Sequence, residues 1–339
     1  MEKYKGFILN DGDIIIAMTD MAGDPKILGV PTLVNTKGYS VLMNQRVGKL
    51  TLKSKDIHPT YLKYYLMSNY ARNYFKSFAG GGVQLNIGQK EILNIDIKLC
   101  NIEEQVYICN VLDKINVLIR KKTEQLDKLD ELVKSRFAEL FENDDFPSEP
   151  LNNNVIEMFI GPFGSSLKNE YFVDKSDGYC MVYEQKHAIQ KTMNVPTRYV
   201  PKSKYEELKR FTVFGGDIIV SCRGTIGEVF TVPFDAPMGI MHPSIMKIRL
   251  DTNKYNQKFF VFALEQYMNE HNAEAKGSGV KMAVSATVLG QSDFVIPPME
   301  VQNQFAEFVE QTNKLKFEVK QSLEKLETLK KSLMQQYFG

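Results

Sequence analysis

Phe7–Ile15 reads FILNDGDII and Phe211–Ile219 reads FTVFGGDII, two forms of one segment whose pairing decides the fold. The offset of 204 residues also aligns Glu2 with Glu206 and Lys5 with Lys209. Further along the offset becomes 197: Gly82-Val83 meets Gly279-Val280, Glu103-Glu104-Gln105 meets Glu300-Val301-Gln302, and Leu126-Asp127-Lys128-Leu129 meets Leu323-Glu324-Lys325-Leu326. Asn116/Asn313, Leu118/Leu315, Leu132/Leu329 and Phe141/Phe338 keep that register. Self-similarity on this scale is the signature of a duplicated structural unit. The second copy has 65 residues, Leu151 to Gly215, ahead of its GDII and the first has 11. The first copy is therefore expected to begin near the equivalent of Tyr205, with about 54 residues of its front absent.

Each copy ends in a heptad segment. Leu112, Ile115, Ile119, Leu126, Leu129, Val133 and Leu140 alternate at spacings of three and four, interrupted by Lys122, and Phe305, Val309, Val319, Leu323, Leu326, Leu333 and Tyr337 do so in the second copy. This is the pattern of a coiled-coil seam. At about 1.5 Å per residue each segment is a rod of roughly 55 Å, too charged on its outer face to be buried all round. With a globular module between them, the two rods are expected to pair antiparallel.

The modules themselves read as mixed. Phe211–Val232 and Met246–Leu250 are rich in β-branched and aromatic residues, whereas Pro59–Phe78 and Asn256–Asn272 have helical periodicity. The expected class is α+β, two mixed α/β modules joined by two long antiparallel coiled-coil helices. Its parts are a shortened first module (1–101), a first helix (102–142), an acidic Pro-containing linker (143–150), a second module (151–299) and a second helix (300–339).

Composition narrows the function. The chain of 339 residues has net charge +1, with 42 Lys+Arg against 41 Asp+Glu. The total hides unlike parts: 1–100 carries +5, 142–150 carries −4, and both helices are close to neutral. No apolar run approaches the roughly 18 residues needed to span a bilayer, and the start lacks the layout of an export signal, so a cytoplasmic protein is expected. Cys100, Cys109, Cys180 and Cys222 form no CxxC pair and read as reduced, buried thiols. The glycine clusters Gly80–Gly82 and Gly277–Gly279 match no phosphate-binding loop, and no HExxH or GxSxG occurs. His58-Pro59 and His242-Pro243 read as turns rather than general bases, and GDII as a Gly-Asp turn leading into a buried strand. No catalytic residue, cofactor or metal ligand is expected.

One series of motifs is more specific. Gly161-Pro162-Phe163-Gly164-Ser165-Ser166-Leu167-Lys168 is followed by Val182–Ile189 (VYEQKHAI), then GDII, then a Gly-Val loop, then Ile296–Gln302 (IPPMEVQ) opening a long heptad helix. This series resembles the specificity subunit of type I restriction-modification systems, over the whole chain. The resemblance implies two target recognition domains, each reading half of a split double-stranded DNA sequence, the first of them shortened here at its front. It also implies that the paired helices dock two copies of an adenine methyltransferase subunit and that an endonuclease/translocase subunit joins the complex. Methyl transfer and cleavage would belong to those partners, consistent with the lack of an NPPY-like tetrapeptide. The alternative is an assembly scaffold, or a partial specificity chain with reduced DNA recognition.

Candidate DNA contacts in the second module are Ser165, Ser166 and Lys168, Gln185 and Lys186, Arg223 and Thr225, and Ser278 and Lys281, residue types that position phosphates or donate to base edges. Gln84 and Asn86 are the candidates in the first module.

Overall fold

The computed structural model describes residues 6–142, 146–278 and 285–339, with 272–278 described by backbone alone. The chain is α+β and divides into two compact units, Met1–Lys128 with Lys316–Gly339, and Leu129–Leu315. Both unit boundaries fall inside the long helices, so each unit contains one module and parts of both rods.

The second unit is built on Ile218–Ser221, the strand that GDII opens. Gly216 holds φ +90, a conformation open to glycine at little cost, and lets the Asp217 carboxylate accept the Phe214 N–H at 2.9 Å. Ile218 and Val220 then face one core and Ile219 another, which is why the run is apolar without alternation. Around it lies an antiparallel sheet in the order Val229–Thr231, Ile218–Ser221, Ile245–Leu250, Val155–Ile160. A second sheet has the order Tyr199–Val200, Cys180–Tyr183, Gly239–Met241, Thr212–Val213, with Cys180–Tyr183 and Gly239–Met241 parallel. The helix Gln257–Ser278 closes the first core through Phe259, Phe260 and Leu264.

The first unit repeats the central part of this plan. Gly12 holds φ +83 and Asp13 accepts the Asn10 N–H at 2.8 Å. Ile14–Ala17 pairs with Pro31–Leu33 on one side and Val47–Leu50 on the other. Ile8–Leu9 pairs with Val41–Leu42, and Thr19–Met21 with Gln84–Asn86. The expected helix over 59–78 is two helices, Pro59–Leu66 and Asn69–Phe78. The break is set by Ser68, whose Oγ accepts the Ala71 N–H at 3.3 Å and caps the second helix.

The rods are the helices Ile102–Phe141 and Met299–Phe338, 40 residues each. In the first unit the start of one lies beside the end of the other, with Leu112 and Phe338 in one core and Tyr61 edge-on to Phe338 at 5.3 Å. In the second unit the relation is reversed along each helix: Phe137 and Phe141 meet Phe305 at 5.4 and 5.6 Å. Within each unit the helices thus run antiparallel. The predicted seam is buried at Leu112, Ile115, Val133, Phe305 and Val319 and half-buried at Ile119, Leu126, Leu129 and Leu326.

One side chain ties each module to its rod. Gln105, fully buried, accepts the His58 N–H and donates to the carbonyls of Asp56 and Cys100 at 2.8 Å each. Gln302, also fully buried, accepts the Asn256 N–H at 2.8 Å and donates to the carbonyls of Lys254 and Pro297 at 2.9 and 2.8 Å. The two amides satisfy matching backbone groups at matching places in the repeat. The expected linker is partly structured: Ser148–Pro150 pairs with Asp293–Val295 as an edge strand, where a proline without an N–H is tolerated.

Candidate functional site

Five strands of the second unit bring their ends to one rim. Ile160 is opposite Met246, Tyr183 opposite Met241, and Ser221 opposite Ile245. Backbone bonds join the loops just beyond: Gly161 N–H to the Ile245 carbonyl at 2.9 Å, Cys222 N–H to that of Ser244 at 2.8 Å, and His242 N–H to that of Tyr183 at 2.8 Å. Three predicted clusters, far apart in sequence, therefore share this rim.

In the first cluster Ser165 and Lys168 are exposed and Ser166 half-buried, in and after a single 3-10 turn, Gly164–Ser166. In the second, Gln185 and Lys186 open the helix Gln185–Gln190. The Gln185 Oε1 is buried without a hydrogen-bond partner, and the Lys186 ammonium sits 2.8 Å from the Glu184 carboxylate. In the third, Arg223 and Thr225 are exposed on a loop closed by Ser221, whose Oγ donates to the Thr225 carbonyl at 2.6 Å and accepts the Glu228 N–H at 2.9 Å. Gly224 holds φ +69, and a Cβ there would lie 3.6 Å from the Gln185 amide nitrogen, so the third cluster lies beside the second.

Several residues not anticipated in the sequence hold the rim in place. Glu184 is buried; Arg198 donates to its carboxylate and also to Asn169 at 3.2 Å, linking the Lys168 segment to the helix that carries Lys186. Burial pushes the Glu184 carboxyl up, but the bonds from Arg198 and Lys186 outweigh it and hold the group below the usual carboxylate range. Lys186 is thereby engaged internally, and Arg223 is the freer cation. His187 caps its own helix: its Nδ1 accepts the Glu184 N–H at 3.0 Å, and burial lowers its pKa. His242 forms a turn with Ser244 (2.7 Å), and burial likewise lowers its pKa. Arg198 carried no local signal, because the residue it serves is Glu184, fourteen positions away.

In the first module Asn86 accepts from the Thr19 hydroxyl at 3.0 Å and so clamps a strand pair, with Gln84 half-buried in the same strand. Lys281 lies outside the described residues, as does the side chain of Ser278. Among the described residues no cluster of His, Cys, Asp or Glu fits a metal ion, and no helix is long and apolar enough to cross a membrane.

The family model for the type I restriction modification DNA specificity domain matches residues 1–130 and 175–330. The chain belongs to this family. Among curated specificity subunits, it is 33% identical over 132 residues to the type I restriction enzyme MjaVIII specificity subunit of Methanocaldococcus jannaschii, a match covering 38% of this chain and 30% of that one. It is 24% identical over 341 residues to the putative type I restriction enzyme MjaX specificity subunit of the same organism, covering 98% and 78%. Its fold is similar to that of the type I restriction-modification S subunit from M. genitalium (TM-score 0.56, 15% identity, 97% of this chain and 83% of that one). It is also similar to a chain from a structure of type I R-M complex assembly and conformational transition (TM-score 0.64, 16% identity, 98% and 82%).

Proposed function

We propose that this specificity chain is the DNA sequence-recognition subunit of a type I restriction-modification complex, non-catalytic itself. The observation that carries this reading is the rim of the second module, where Ser165, Lys168, Gln185, Arg223 and Thr225 gather from three loops braced by Glu184, Arg198 and Asn169. Short loops on rigid strands present donors to base edges and phosphates with defined geometry. Lys281 and Ser278 belong to the same proposed surface, and Gln84 and Asn86 to its counterpart on the first module, so that a bipartite target is read.

The rods supply the second part of the reading, the docking of two adenine methyltransferase subunits and, with them, an endonuclease/translocase. Leu118 and Leu315, equivalent in the repeat, are 47% and 50% exposed, and Leu132 and Leu329 are 49% and 47%. Apolar side chains left open at matched places in both copies suit two equal partners better than solvent. The test is duplex binding by the chain assembled with its methyltransferase. Affinity that falls steeply with salt and footprints at two separated, sequence-specific half-sites are expected. Binding without sequence preference would overturn recognition. Leu118→Glu with Leu315→Glu is expected to abolish assembly while leaving the chain folded, and intact assembly would overturn docking there. A partial specificity chain, reading only one half-site, is favoured by one observation: among the described residues the main sheet of the first module has three strands and that of the second has four.

A further inference from the structure

Among the described residues Phe163 is the most exposed of the large apolar side chains, at 86%, and it stands on the rim of the second module. Its neighbours in the same motif are placed differently. Pro162 is buried, and Leu167 is 4% exposed in a core shared with Val182 and Ile240. An apolar interior is thus within reach of the segment, and one ring still faces outward, among Ser165, Lys168, Arg223 and Thr225. Phe234, 81% exposed, offers a contrast: it lies against Gly215 and Gly216, at the other end of Ile218–Ser221 and away from the rim.

The base of the Phe163 ring is rigid. A Cβ on Gly161 would stand 2.3 Å from the His242 carbonyl oxygen, so only glycine lets the loop come this close to that turn. The Gly161 N–H donates to the Ile245 carbonyl at 2.9 Å, and the Ser166 N–H to the Phe163 carbonyl at 2.8 Å. Pro162 adds a fixed φ between them. Ile245–Leu250 lies between the strand that leads to Phe163 and the strand that leads to Arg223. Strands two places apart are about 10 Å apart, roughly three base-pair rises of a duplex. The ring and the Arg223 guanidinium can therefore meet one short run of base pairs.

We propose that Phe163 is an apolar wedge that enters one base step of the DNA facing the second module and unstacks it. The inference rests on the DNA-reading role of that rim and adds a second kind of selectivity to it. Pyrimidine–purine steps, which unstack most readily, are favoured at the wedge without a hydrogen bond to either base.

The experiment uses the chain assembled with its methyltransferase, at saturating concentration, on the duplex it footprints, with 2-aminopurine placed at each position in turn. A fluorescence rise is expected at one step besides any base extruded by the methyltransferase. Phe163→Ala should remove that rise and weaken binding on the order of tenfold. Its salt slope should stay that of the parent, because no phosphate contact is lost. Phe163→Trp should keep both the rise and the affinity, and Phe234→Ala should change neither. A mismatch at that step, already loosened, should tighten binding by the parent and not by Phe163→Ala. A sequence-specific footprint with no such rise, or with a rise that survives Phe163→Ala, overturns the wedge alone. A footprint without sequence preference overturns the DNA reading, and the wedge with it.

Discussion

The same four residues, Gly-Asp-Ile-Ile, open the central strand of both modules, yet their aspartates live in different surroundings. Asp217 is 2% exposed and takes two bonds from Arg249, at 2.7 and 2.8 Å, while Arg249 also reaches Glu157 at 3.0 Å. Asp13 has one ion pair, to Lys49, with its side chain 19% exposed. The residue equivalent to Arg249 is Thr51, and Glu157 has no counterpart among the described residues. One motif therefore anchors a buried charge network in one module and a single, partly exposed pair in the other. Arg249, standing where the first module has Thr51, is what draws the turn into a buried network, and Glu157 on the fourth strand extends it.

The most severe way to break this comparison is to remove the two aspartates in turn. Asp217→Ala leaves the Arg249 guanidinium without its bidentate partner and is expected to cost about 3–5 kcal/mol. Asp13→Ala should cost below about 1 kcal/mol, as solvent-screened pairs do. Urea unfolding of both variants checks this, and equal costs would mean that burial does not separate the two turns.

The glutamine clamps should show the opposite, equality. Gln105→Leu and Gln302→Leu each strand buried backbone groups and should cost about 1–3 kcal/mol for each group left unpaired, alike in the two modules. Denaturation curves that differed strongly between the two would show that the junctions are not equivalent. At the rim, Arg223→Ala should weaken duplex binding by the assembled complex about tenfold and lower the salt slope by about 1. Gln84→Ala in the first module should change affinity less, and binding titrations at several salt concentrations measure both.

The smallest effect concerns pH. Because the Glu184 carboxyl is held below its ordinary range, its stabilisation is complete above that range and is lost as pH falls through the depressed value. Glu184→Gln should therefore be less stable than the parent at neutral pH, and the gap should close in acid. Thermal unfolding across that pH range reads it.

Much of this was legible before folding. Gly12-Asp13 and Gly216-Asp217 announced turns into buried strands, and the three-and-four spacing of Leu112 through Leu140 announced a rod, because both depend on local conformation and periodicity. The break at Ser68 was hidden, since the apolar pattern continues through a residue that caps the next helix. Arg198 was hidden because its partners, Glu184 and Asn169, are close only in the fold.

The sequence by itself determined the duplication, the two rods, the α+β class and the loops that carry the candidate contacts. Each of these is a property of pattern along the chain. Tertiary structure decided which candidates meet: it joined the Ser165, Gln185 and Arg223 loops at one rim and engaged Lys186 with Glu184. It also left Phe163 open while burying Leu167. Pairing across a sheet brings together residues without regard to their separation in the chain, and no periodicity records which neighbour a strand will have.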